Sequence, residues 1–64
     1  MEYGIQKDTL SGLEYVMVRG GRFVLRRDID NGKYMPHTYA TISDAKQRIS
    51  EHDDTGLSVF TIRS

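Results

Sequence analysis

The sequence predicts an α+β fold: an antiparallel sheet of four or five strands with one helix packed on one face, in the order β-β-β-β-α-β. Two observations support this prediction. Residues 13–28 contain two strand-like runs, rich in aromatic and β-branched side chains, on either side of Gly20 and Gly21. Residues 41–50 carry the one convincing helical pattern in the chain. With 64 residues, we expect a single domain over residues 1–64.

The first of these patterns predicts a tight hairpin, because glycine adopts the positive φ angles of two-residue turns without a steric penalty. If Gly20 and Gly21 form the loop, Arg19 pairs with Arg22 and side chains alternate faces from there. The predicted core face then carries Val16, Val18, Phe23 and Leu25. The opposite face carries Tyr15, Met17, Arg19, Arg22, Val24 and Arg26.

The remaining strands are predicted on either side of this hairpin. Residues 2–7 alternate weakly and are predicted as a strand, whose pairing into the sheet the sequence leaves open. Residues 33–39 are predicted as a third strand returning beside the second, at an edge or broken at Pro36, which cannot donate to a ladder. Residues 57–63 are predicted as the closing strand.

The helix is predicted from its cap and its periodicity. Thr41 suits the N-cap position, and Asp44 three residues later suits the positive helix end. Ile42, Ala45 and Ile49 recur at spacings of three and four and form one apolar stripe. We expect this stripe to cover the core face of the hairpin, with a helix stop before Gly56.

The charge balance argues against a dedicated nucleic-acid binder, because nine basic side chains cancel nine acidic ones. The charges are nevertheless unevenly spread. Residues 19–33 carry a balance of +3 and residues 44–54 a balance of −2. The chain has no cysteine, and we expect neither a signal peptide nor a membrane-spanning segment. The predicted location is the cytoplasm.

A search for catalytic motifs predicts no enzyme, no cofactor and no metal site. The Asp28, Asp30, Asn31 and Gly32 sequence resembles the start of a calcium loop, but Tyr39 stands where that loop needs an acidic ligand. The two histidines, His37 and His52, fall in different predicted elements and are interpreted as surface residues.

A binding surface is the stronger prediction. The cationic strand face combines arginine, aromatic and methionine side chains, which are enriched at interface hot spots, and we expect it to contact a partner. On nucleic acid, the same arginines would contact phosphates or guanine edges. A secondary acidic surface is expected at the helix end, at Glu51, Asp53 and Asp54.

Residues 40–62 resemble a pattern in very small phage-type proteins. The resemblance is carried by the run from Ala40 to Lys46, the helix, Gly56 and the final strand through Val59 and Ile62. Among these are anti-CRISPR inhibitors of type I surveillance complexes. The resemblance implies an inhibitor that acts by occupying the nucleic-acid-binding surface of another protein.

Residues 13–50 also resemble the arm-type DNA-binding domain of tyrosine-recombinase integrases. That resemblance implies a sheet entering the major groove, with Arg19, Arg22, Arg26 and Arg27 as DNA contacts. The chain departs from the pattern in its extra final strand and its zero net charge.

The leading hypothesis is therefore a non-enzymatic, phage- or mobile-element-encoded protein that binds and inhibits a host defence complex, including one that itself binds nucleic acid. A sheet-based DNA-binding module is the alternative. A structural subunit that adds an edge strand to a partner sheet is a third hypothesis, and a homodimer stays open because the core is small.

Overall fold

A computed structural model describes residues 1–52 and 54–63, and it confirms the α+β class. Four strands form one antiparallel sheet in the order β3-β2-β1-β4. The strands are β1 (Glu2–Asp8), β2 (Glu14–Val18), β3 (Arg22–Leu25) and β4 (Leu57–Arg63). Two helices, α1 (Arg26–Asp30) and α2 (Ile42–Ser50), lie between β3 and β4 in the chain. The first predicted strand thus forms and pairs on both sides, whereas β4 is an edge strand.

The hairpin forms, but its predicted register is wrong by one residue. Val18, not Arg19, pairs with Arg22, and the Gly21 amide donates to the Val18 carbonyl oxygen at 3.1 Å. The loop therefore holds three residues, with φ at +100° for Gly20 and +79° for Gly21. A shift of one residue moves every β3 side chain to the other face relative to β2.

This shift corrects the predicted core. Met17 pairs with Phe23, and both lie on the α2 face, where Ile5, Met17 and Ala45 form the buried cluster. Val16 and Val18 are also buried, but on the opposite face. Phe23 therefore packs against the cluster that includes Ala45 of α2, whereas the two valines that were predicted beside it do not.

The strand predicted over residues 33–39 does not form, so that prediction is wrong. The predicted strand that begins at Arg22 is shorter than expected and ends at Leu25. The chain turns into α1 directly after Leu25, and Gly32 follows the helix end with φ at +75°. Pro36 then makes only an isolated bridge to Val18. Because proline has no amide hydrogen, it cannot support a longer ladder at this place.

Residues 36–39 fill the gap where β1 and β2 separate. The His37 amide donates to the Met17 carbonyl oxygen at 3.0 Å. Tyr3 and Tyr39 exchange two backbone bonds, of 3.0 and 2.8 Å. This segment thus satisfies backbone groups that the two strands leave unpaired in the sheet.

The helix prediction is confirmed at its cap. The Thr41 hydroxyl accepts a hydrogen bond from the Asp44 amide at 3.1 Å. Ala45 is fully buried, Ile49 packs against the core, and Ile42 stays 46% exposed. The helix contacts β1 and β4, so it lies over the half of the sheet that ends at the β4 edge.

The second face of the sheet is covered over β2 and β3, which α1 contacts. Arg22 lies on this face because it pairs with Val18, and its guanidinium carbon is 5.0 Å from the centre of the Tyr34 ring. Tyr34 therefore also lies on the face of Val16 and Val18. Val16 and Val18, on this face, are each only 2% exposed.

Candidate functional site

The predicted cationic strand face does not form as one surface. Met17 is only 2% exposed and belongs to the core. Val24 pairs with Val16 and lies on the face opposite Met17 and the half-buried Tyr15. Arg19 stands exposed in the hairpin loop. The one-residue register shift places Arg22 and Val24 on the face opposite Tyr15 and Met17, and the turn into α1 after Leu25 removes Arg26 from the strand.

Two of the predicted arginines already contact other side chains of the domain. Arg22 stacks on Tyr34. Arg26 begins α1, and its Nη1 lies 3.0 Å from Oε2 of Glu14. Both pairs are on the surface, where such contacts contribute little to stability but do orient the side chains.

The predicted acidic surface is partly neutralised. Glu51 accepts from Arg48 at 3.2 Å, and Asp54 lies 3.5 Å from the Lys7 ammonium group. Asp53, the third member, lies outside the described residues. The described part of this surface is therefore a set of ion pairs and not an uncompensated acidic patch.

His52, interpreted as a surface residue, is half-buried, with its ring centre 6.1 Å from that of Phe23. His37 is also half-buried and lies 4.8 Å from the Tyr39 ring. In residues 1–52 and 54–63, no three histidine or acidic side chains converge into a metal-binding group.

The backbone of β4 has an open edge, and its hydrogen-bond pattern shows which groups point outward. The Asp8 amide donates to the Gly56 carbonyl oxygen at 2.9 Å. Bonded and non-bonded pairs alternate along an antiparallel ladder. Ser58 and Phe60 therefore exchange bonds with Gln6 and Gly4 of β1.

It follows that Val59 and Thr61, with Leu57, direct their amide and carbonyl groups away from β1. The Tyr3 pairing with Tyr39 agrees with this assignment, because Tyr3 is opposite Thr61 and uses its groups on the other side of β1. Among the described residues, no backbone bond from another segment reaches Val59 or Thr61 at the outer edge. These groups are available to another strand.

An apolar groove runs beside this edge, between α2 and β4. Its volume is about 560 Å³. The groove is lined mainly by Ile42, Lys46 and Ile49 of α2 and by Leu57, Val59 and Thr61 of β4. Side chains of Leu57, Val59 and Thr61 share the α2 face, since Val59 pairs with the core residue Ile5. The groove and the open edge are therefore one continuous surface.

Only one charged side chain, Lys46, lines the groove within the part of the chain that the structure describes. Ile42, Lys46 and Ile49 follow one another at intervals of about one helical turn, which places them along one side of the helix. Such a surface can hold an extended chain: backbone bonds form along β4 while alternate side chains enter the groove. Sequence reasoning assigned Ile42 and Ile49 to the core and missed this surface, because it could not identify β4 as an edge.

No family model, curated protein or solved structure matches the chain. No helix in the described residues is long and apolar enough to cross a membrane.

Proposed function

We propose that this chain is a non-enzymatic binding protein that acts by protein–protein interaction, and that the α2–β4 groove receives an extended segment of its partner. The observation that carries the proposal is the open backbone edge of Val59 and Thr61 beside an apolar groove. Strand addition of this kind obtains affinity from backbone bonds and specificity from side-chain pockets.

The groove defines the chemistry of the segment. Apolar side chains at alternate positions would fill the space against Ile42 and Ile49, of which Ile42 is 46% exposed without a partner. An acidic side chain would face Lys46. The expected segment is therefore extended, apolar at alternate positions and acidic near its middle.

A partner protein fits better than a second copy of the chain. Twofold pairing of β4 with itself would place the two α2 helices on the same side of the joined sheet. The two Lys46 ammonium groups would then approach the same seam, and like charges there oppose association. An acidic partner removes this repulsion and replaces it with attraction.

The resemblance to small phage-type inhibitors supports a biological role for such binding. In that role the protein works in the cytoplasm of a host cell and captures a segment of a host defence complex, thereby blocking the complex. The DNA-binding alternative relies on Arg19, Arg22, Arg26 and Arg27. It is less favoured, because Arg22 contacts Tyr34 and Arg26 contacts Glu14.

Panning of a displayed library of random heptapeptides on the immobilised chain tests the proposal. We expect enrichment of peptides with alternating apolar residues and an acid. Their affinity should fall about tenfold or more with Lys46→Glu, which turns an attraction into a repulsion, whereas Lys33→Glu, outside the groove, serves as the matched control.

Three outcomes would contradict the proposal: no enrichment, equal losses for the two lysine variants, or selected peptides that bind a surface other than the groove. A homodimer in sedimentation equilibrium that the neutral variant Lys46→Gln strengthens would instead assign the groove to a second copy, because this change removes the repulsion at the seam. Tight binding of duplex DNA that weakens steeply with salt would favour the DNA-binding alternative.

A further inference from the structure

A second cleft lies on the other side of α2, where the hairpin loop approaches residues 37–39. Its volume is about 360 Å³, and its lining includes Arg19, Gly20, Gly21, His37, Tyr39 and Arg48. The α2–β4 groove shares none of these residues. Two sites of different chemistry therefore flank the helix.

The cleft is cationic. Arg19 enters from the loop and Arg48 from the last turn of α2, and both side chains are exposed. Arg48 contacts one acid, Glu51, whose Oε1 lies 3.2 Å from Nη1 of Arg48. That ion pair is about half exposed, at 47% and 52%, so it holds Arg48 only weakly and leaves the guanidinium able to turn to a ligand.

The walls of the cleft suit an anion carried on an organic group. Gly20 and Gly21 present backbone without side chains, and a Cβ at either position would meet nothing within 4 Å. The His37 and Tyr39 rings, 4.8 Å apart, give an aromatic wall. A volume of about 360 Å³ exceeds what one inorganic anion fills.

We propose that this cleft binds a phosphate monoester, with Arg19 and Arg48 on the phosphate oxygens and the His37 and Tyr39 rings against the organic group. Arginine is suited to this role because its planar guanidinium donates two parallel hydrogen bonds to one phosphate. The site is independent of the peptide-binding proposal, because it uses a different surface.

Titration of the ¹⁵N-labelled full chain, followed by amide chemical shifts, tests the proposal. The probes are phenyl phosphate, which stands for a phosphorylated aromatic side chain, and adenosine monophosphate, which stands for a nucleotide. We expect either probe to shift the amide signals of Gly20, Gly21 and His37. The tighter of the two identifies the source of the phosphate monoester.

Arg48→Gln and Arg19→Gln should each weaken that binding about tenfold, the loss expected for one charge-assisted contact. Arg27→Gln removes the same charge from α1, outside the cleft, and should leave the affinity within about twofold. The proposal is overturned if neither probe shifts these amides, or if Arg27→Gln weakens binding as much as Arg48→Gln. Amide spectra of the unbound variants verify that each retains the fold.

Discussion

Gly4 of β1, one of the two inner strands, lies directly under the Phe60 ring of β4. A Cβ built on Gly4 would be 2.8 Å from Cε1 of Phe60 and 2.9 Å from Cδ1 of Ile62. These distances are shorter than carbon atoms tolerate, so only glycine lets the two apolar side chains of β4 lie across β1. Glycine is used here for close approach and not for its backbone freedom.

Gly4→Ala should lower the free energy of unfolding by about 1 kcal/mol. Overpacking costs about 1–3 kcal/mol, and the smaller unfolded-state entropy of alanine returns about 0.4–1 kcal/mol. Urea unfolding measures the change. In a Phe60→Leu background the same substitution should cost less, because the ring is gone. An equal cost in both backgrounds would show that the ring does not impose the glycine.

The N-cap of α2 gives a second prediction. Thr41→Ala removes the oxygen that accepts from the Asp44 amide and should cost about 1 kcal/mol. In a domain this small, that loss lowers the midpoint of thermal unfolding by about 4–8 °C. Thr41→Ser should keep the bond and the midpoint. Ser43→Ala, at an exposed helical position, is the control, and a loss there as large as for Thr41→Ala would contradict a capping role.

Because of Tyr39, we expect the free energy of unfolding to fall at alkaline pH. Burial raises the pKa of the Tyr39 phenol above the ordinary value of 10.0. The positive charge of Arg48 opposes this increase, and the negative charge of Glu51 adds to it to a smaller extent. The folded state thus favours the neutral phenol more than the unfolded state does. This contribution is complete below the unfolded pKa and is lost as the pH rises through the folded one.

Tyr39→Phe should therefore make the decline in unfolding free energy between pH 8 and pH 11 shallower than in the parent chain. Urea unfolding at both pH values measures the two declines, and the values at pH 8 correct for the lost hydroxyl. If the two chains decline equally, the Tyr39 phenol is not the group responsible.

The sequence predicted the parts of the fold that depend on local chemistry. The Thr41 cap, the burial of Ala45 and the final strand all form as expected, because caps and short apolar periods are set by neighbouring residues. Gly20 and Gly21 correctly marked a hairpin.

The sequence could not predict the hairpin register, because two- and three-residue loops both accept consecutive glycines. That single residue decides whether Met17 is in the core or on a binding face. Sequence patterns also could not predict the pairing of Tyr39 with Tyr3, or the strand order that leaves β4 at an edge. These features depend on contacts between distant parts of the chain, and both candidate sites depend on them in turn.

Hydrogen exchange of the β4 amides, with and without a peptide selected by panning, tests the central claim most directly. In the free protein we expect protected amides at Ser58 and Phe60, which face β1, and fast exchange at Val59 and Thr61. With the peptide bound, Val59 and Thr61 should become protected while Ser58 and Phe60 stay unchanged. Bound peptide that leaves Val59 and Thr61 in fast exchange would contradict strand addition at this edge.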